Sequence, residues 1–403
     1  MVKLEDCKYR LFVSAGTGQG GKRKRYSKTI TATSDRKAEK ELAKFIAEVE
    51  SDNFVEPSKI TLEQFITKWM KDYGEKNLSL KTQSTYNSMF KNRIIPAVGH
   101  IQLVKLKPTH IVDFINEMYR VRLDDKKGSI SDKTVHNHYR LLNTILNTAV
   151  KWQIIPNNPA ERVDPPKYKR VEADFYDYDE IKKVFELLDD EPLKYQVVFV
   201  LAITTGLRLG ELVGLKWDDI NFKEKYIIIS EARYYTPENG TFTAPPKSDT
   251  SNRKISIPEY TIELLKIYKA EQEQVADDLD DKWIESEFIL TQWNGLGMHP
   301  ITPSHWWGKF INKHNLRKIT FHQLRHTNAT ILMDLGLNLK AISKRLGHAN
   351  TEITSKTYVH GIESTDKLAA EKIEEALFKK EKRTGKKIFR IKKWHENGTI
   401  SNK

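Results

Sequence analysis

Arg208, Lys247, His322, Arg325, His348 and Tyr358 follow one another through the second half of the chain, and their types are those a phosphoryl-transfer site requires. A phosphodiester is an anion that repels nucleophiles and gathers charge on its non-bridging oxygens as it reacts. Two guanidiniums, permanently charged and forked to fit phosphate oxygens, hold such a group and stabilise its transition state. Histidines add adjustable hydrogen bonds. A phenol of ordinary pKa about 10 becomes a nucleophile when a cationic pocket favours its phenolate. A lysine whose pKa is lowered by neighbouring arginines can give the leaving oxygen its proton. Each residue alone also has a plainer reading: the His322/Arg325 pair as neighbours on a helix face, Arg208 as half of a structural ion pair, His348 as a helix end, and Tyr358 as one of 16 tyrosines that mostly pack. What favours the chemical reading is the order and context of four separate boxes.

Those boxes are TTGLRLGELVGLKWDDI around Arg208, PPKSDTSNRKISIP around Lys247, HQLRHTNATILMDLG with His322 and Arg325, and KRLGHANTEITSKTYVH with His348 and Tyr358. Together they resemble the tyrosine recombinases, in particular the integrases carried by phages and conjugative transposons, over essentially the whole length. The resemblance implies Arg208 as first arginine with Glu211 supporting it one helical turn on. It puts Lys247 in the lysine position, in preference to Lys216, Lys223 or Lys254. It also implies a reaction in which Tyr358 attacks the scissile phosphate, forms a 3′-phosphotyrosyl link and frees a 5′-hydroxyl, after which the strand is resealed to a different partner. That exchange requires neither ATP nor a metal. In agreement, the chain carries no G-x-x-x-x-G-K-[ST] loop, C-x-x-C or H-E-x-x-H pattern, so no cofactor and no metal ligand is assigned.

The fold expected to position these groups is multidomain and mainly α, with small β elements. Alternating runs Tyr9–Val13 and Tyr26–Thr31 flank GTGQGGKRKR, the signature of a hairpin. Ser34 or Asp35 then caps an amphipathic helix bearing Ala38, Leu42, Phe45, Ile46 and Val49. The resemblance makes residues 1–55 an arm-type DNA-binding domain, a three-stranded sheet plus helix, with Lys22, Arg23, Lys24 and Arg25 holding phosphates. After a linker around Phe54–Ile60, Thr61 and Gln64 open a capped helix, and helical stripes continue through residues 60–162, the expected core-site DNA-binding domain. Lys81, Arg93, Lys133, His136, Asn137 and Arg140 are its candidate DNA contacts. NNPAERVDPPKYKR reads as an extended linker, with 163–174 leading into the catalytic domain at 175–380, a mixed, mostly α tyrosine recombinase fold. Helices are expected at FYDYDEIKKVFELLDD, LKYQVVFVLAITTG and Tyr260–Gln274, and strands at Tyr226–Ser230 and Lys254–Ile257. The stripe Leu368, Ala369, Ile373, Ala376 and Leu377 fits packing on its own domain or on a neighbouring protomer.

Charge is distributed unevenly. Residues 1–50 carry 12 Lys or Arg against 7 acids and residues 379–403 carry 10 against 2, while the segment between them is neutral. The basic ends, including the tail at 381–403, read as phosphate-seeking elements. A single cysteine, Cys7, excludes an intrachain disulfide, and neither a signal peptide nor a membrane-spanning run is present, which suits a cytoplasmic, nucleoid-associated protein. The expected partners are double-stranded DNA at core and arm sites, other copies in a homotetramer, a directionality factor and a host DNA-bending protein, with no membrane. Other readings that keep the same boxes are a DNA-binding regulator with a dead site, a type IB topoisomerase-like enzyme and an Xer-type resolvase.

Overall fold

A computed structural model describes residues 1–5, 7–17, 23–50, 59–120, 129–169, 174–245 and 252–347. Two compact units result, Met1–Val171 with Thr236–Gly240, and Glu172–Tyr235 with Thr241–Lys403. The first begins with an antiparallel sheet of β1 (Val2–Glu5), β2 (Lys8–Thr17) and β3 (Arg23–Thr31), in that order. Period-2 alternation sends Tyr9, Leu11 and Val13 to one face, where they pack against α1 (Asp35–Glu50) through Ala38, Phe45 and Val49. Ser34 Oγ accepts the Lys37 N–H at 3.4 Å, and Tyr9 Oη donates to Asp35 at 2.5 Å, tying the helix start to the sheet.

The helical part of this unit starts where the sequence places it. Thr61 Oγ1 accepts from the Gln64 N–H and Gln64 Oε1 accepts from the Thr61 N–H, closing a capping box on α2 (Leu62–Trp69). That helix widens into a π-turn at Met70–Gly74 before α3 (Glu75–Asn77). α4 (Leu80–Met89) likewise runs into a π-helical stretch, Phe90–Gly99, which accommodates Pro96, a residue with no N–H to give. With α5 (Pro108–Arg120) and α6 (Asp132–Lys151) they enclose Phe65, Trp69, Phe90, Ile111, Phe114 and Leu142.

The segment NNPAERV, expected as extended linker, is folded into this helical core instead. Pro159–Arg162 forms a 3₁₀ turn, and Ala160 and Val163 are buried. The cause is polar side chains that satisfy the turn's backbone and hold it to α6. Tyr139 Oη lies 2.9 Å from the Ala160 carbonyl and 3.0 Å from that of Val163. Asn158 donates to the side-chain oxygens of Asn143 and Asn147 at 2.7 and 2.8 Å and accepts the Ala160 N–H. The expected linker start at residue 163 therefore falls on a core residue.

In the second unit, α7 (Tyr178–Leu188) is opened by a reciprocal Asp177/Glu180 box, and α8 (Leu193–Thr205) is buried on all sides from Val197 to Ile203. Short α9 (Leu209–Val213) leads to β4 (Ile220–Asn221) and β5 (Tyr226–Ile229). A two-stranded ribbon of β6 (Ala232–Thr236) and β7 (Gly240–Ala244) precedes β8 (Arg253–Ser256), which pairs antiparallel with β5 through Ile227 and Ile255. The ribbon was not among the expected strands. Helices α10 (Glu259–Leu279), α11 (Thr302–Lys313), α12 (Gln323–Asp334) and α13 (Leu339–Leu346) complete the described part. Trp307 anchors it, stacking on Phe199 and Phe310 and donating to the Ile319 carbonyl at 3.0 Å. No helix among the described residues is long and apolar enough to cross a membrane.

Candidate active site

α8 ends at Gly206, whose φ of 65° is a left-handed conformation. Space demands glycine there as well, because a Cβ would lie 2.5 Å from Leu346 Cδ2 and 2.6 Å from Asn328 Oδ1. The sharp turn places Arg208 at the mouth of α9. Its backbone N–H donates to Glu211 Oε2 at 3.0 Å and its Nη1 to Glu211 Oε1 at 2.8 Å. The arginine side chain is 39% exposed while the glutamate is 3% exposed.

Arg325, one turn into α12, is buried at 3% exposure. Nη1 donates to the Gly206 carbonyl and Nη2 to that of Leu346, each at 2.7 Å. A third guanidinium, that of Arg253 on β8, donates through Nη2 to Glu211 Oε2 at 2.8 Å and through Nε to the Arg345 carbonyl at 2.7 Å. Arg208 Nη2 meets the Gly347 carbonyl at 2.8 Å. Three successive carbonyls at the end of α13, those of residues 345, 346 and 347, thus each accept from a different arginine. Helix C-terminal carbonyls lack intrahelical partners and carry the negative end of the dipole, so cations gather there for a physical reason.

Burial alone would raise the Glu211 carboxyl, but bonds and charge from Arg253, and then from Arg208, outweigh it and hold the group below the usual carboxylate range. The carboxylate stays ionised. His322 sits at the start of α12 with its ring 5.3 Å from that of His326, edge to face. Although His322 keeps an exposed edge, desolvation, then Arg325 and Arg208, push its pKa down. Burial, then His322 and Arg325, take His326 down to about 4. Both rings are therefore neutral near pH 7, able to donate one hydrogen bond and accept another.

The structure gathers Arg208, His322 and Arg325 from the sequence-derived set into this pocket. Lys247, His348 and Tyr358 lie outside the described residues, as do Lys22, the stripe at 366–378 and the tail. Lys216 is held at 3.0 and 3.1 Å by Glu231 and Glu287, whose hydrogen bonds raise its pKa, the opposite of what a proton donor needs. Arg253 was missed because the sequence presents it as one of 67 basic residues. A signal existed in Glu211, since a carboxylate placed between buried elements requires more than one half-exposed cation.

Of the candidate DNA contacts, Arg23 and Lys24 open β3, and Arg25 packs over Phe12 at 5.3 Å on the sheet face opposite α1. Lys81 is exposed on α4; Lys133, Asn137 and Arg140 are exposed and share one face of α6. Half-buried His136 is committed elsewhere, to the Pro166 carbonyl at 2.8 Å and to the Tyr168 ring. Arg93 lines a cleft with Asn92, Ser131 and His138.

The phage integrase family pattern matches residues 174–364, and two phage integrase N-terminal SAM-like patterns match residues 61–119 and 99–169. The chain belongs to the phage integrase family, the tyrosine recombinases. A tyrosine recombinase described as XerC-like, from Caldanaerobacter subterraneus subsp. tengcongensis, is 27% identical over 88% of this chain and 92% of its own. Among solved structures, the Tn1549 transposon integrase in complex with circular intermediate DNA aligns with a TM-score of 0.64 at 22% identity, covering 78% of this chain and 99% of that one. The lambda integrase tetramer bound to a Holliday junction gives 0.52 at 19% identity, over 86% and 97%. These two likenesses establish the recombinase fold. Family membership makes the protein a site-specific recombinase.

Proposed function

We propose that the protein is an integrase that inserts and excises a mobile element, through a covalent 3′-phosphotyrosyl intermediate formed by Tyr358. The observation that carries this reading is the convergence of Arg208 and Arg325, far apart in the sequence, on the turn that ends at Gly347, immediately before His348. Double-stranded DNA is the substrate. Its scissile phosphate is held by the guanidiniums of Arg208 and Arg325, with His322 and His348 adding hydrogen bonds. Lys247 protonates the leaving 5′-oxygen, and the reverse steps reseal the strand to its new partner. One phosphodiester is exchanged for another of similar energy, so neither ATP nor a metal enters. Residues 1–55 read arm sites, residues 60–162 grip the core site, and four protomers assemble on two DNA sites; the lambda integrase, a tetramer on a Holliday junction, supports the number four. The XerC-like relative keeps a resolvase as the second reading, since it aligns over nearly the whole chain. Deleting residues 1–55 separates the two: an integrase loses recombination between full sites while still cleaving isolated core sites, and a resolvase keeps both.

The chemistry is tested with a nicked suicide DNA substrate. The parent protein should accumulate a covalent adduct and Tyr358→Phe none, whereas an adduct formed by the Phe variant rejects this nucleophile. Arg208→Ala should slow adduct formation by about 10²- to 10³-fold at little cost in DNA affinity.

A further inference from the structure

We propose that Arg253 is a positioning residue for Arg208: by pairing with Glu211 inside the pocket, it leaves the charge of Arg208 available to an anionic substrate. The inference rests on the recombinase reading above. Glu211 is 3% exposed and its two oxygens are divided, Oε1 to Arg208 Nη1 at 2.8 Å and Oε2 to Arg253 Nη2 at 2.8 Å. Were Arg208 the sole cation on this carboxylate, the pair would be neutral and would offer little field to an incoming phosphate. With Arg253 included, the three groups carry one net positive charge. Its location follows from exposure and partners: the Arg253 side chain is 5% exposed, with Nε and Nη2 committed to the Arg345 carbonyl and Glu211, whereas the side chain of Arg208 is 39% exposed. The surplus charge therefore faces outward on Arg208.

Arg253 is fixed in this task by its surroundings. Nε is taken by the Arg345 carbonyl, and a Cβ on Gly347 would stand 2.9 Å from Nη1 and 3.1 Å from Cζ, so the guanidinium lies flat beneath the turn that also accepts from Arg208. A planar fork serves the carboxylate and the carbonyl at once. Gly347 itself has φ 70°, so the close approach and the backbone conformation both call for glycine.

The test measures single-turnover adduct formation on the suicide substrate at saturating DNA, with DNA affinity and thermal melting measured alongside. Arg253→Gln should be slower than the parent by about 10- to 100-fold with affinity within about threefold. Adding Glu211→Gln to it removes the buried negative charge and restores one net positive charge on the pair, so the double variant should recover about tenfold over Arg253→Gln. A loss under tenfold in Arg253→Gln, or a folded double variant no faster than the single, overturns the proposal, because a purely structural role gives no reason for the second change to help. Should Arg253→Gln fail to fold, Arg253→Lys is read instead. Slowing of no more than about tenfold supports the charge argument and a deeper loss in a folded protein overturns it. A parent protein that forms no adduct at all fails the recombinase reading, and this proposal with it.

Discussion

Two sets of buried polar groups, one in each unit, solve the same problem with different chemistry. In the helical unit, Tyr139, Asn143, Asn147 and Asn158 hold the 3₁₀ turn at Pro159–Arg162 onto α6 with neutral groups only. In the catalytic unit, Glu211, Arg253 and Arg325 are charged, each at most 8% exposed, and bonded to one another or to backbone carbonyls. Neutral hydrogen bonds contribute about 1 kcal/mol each, and removing one partner costs a few at most. Buried ions carry desolvation penalties of several kcal/mol that are offset only while every partner stays in place. Stability alone gives no reason for the second arrangement, since well-packed apolar residues commonly do as well. The arginine pocket fits the anionic substrate proposed above, and the asparagine and tyrosine cluster serves packing.

Glu211→Leu should break the catalytic pocket most severely, because it leaves Arg253 buried without its carboxylate. A loss of about 3 to 5 kcal/mol in urea unfolding is expected, and a loss under about 1 kcal/mol would mean that the ion pairs are not energetically buried. Acidification sharpens the contrast next. His326 titrates at about 4 in the folded protein against an ordinary value of 6.5, so the unfolded chain binds this proton more readily. Stability is then complete above about pH 6.5 and declines as pH falls towards 4, by at most about 3 kcal/mol. Burial lowers His322 and, in the helical unit, His138 as well, adding to the same trend. His326→Gln should flatten the denaturation midpoint against pH, and an unchanged profile would contradict the assignment. The smallest effect belongs to the neutral cluster: Tyr139→Phe should cost about 1 to 2 kcal/mol, with suicide-substrate cleavage retained by the folded protein.

Sequence periodicity was informative where a single element decides its own conformation. Thr61 and Gln64 are three apart and close their capping box within one turn of helix. The apolar run Val197–Ile203 is a buried core helix, and Tyr226 and its neighbours form the expected strand. Legibility failed where the partner is distant. NNPAERV reads locally as extended linker, yet Asn158 finds its acceptors on α6; Arg253 resembles any strand residue until β8 comes against α9. The His322/Arg325 spacing suggested a helix face, but the partners that define Arg325 are the carbonyls of Gly206 and Leu346.

A helix terminus gripped at three consecutive oxygens has lost its freedom to swivel. The turn at Gly347, the last described residue before His348, is thus held by three guanidiniums, two of which, those of Arg208 and Arg325, are the ones proposed for the scissile phosphate. Seating an anion there and fixing the end of α13 draw on the same two side chains.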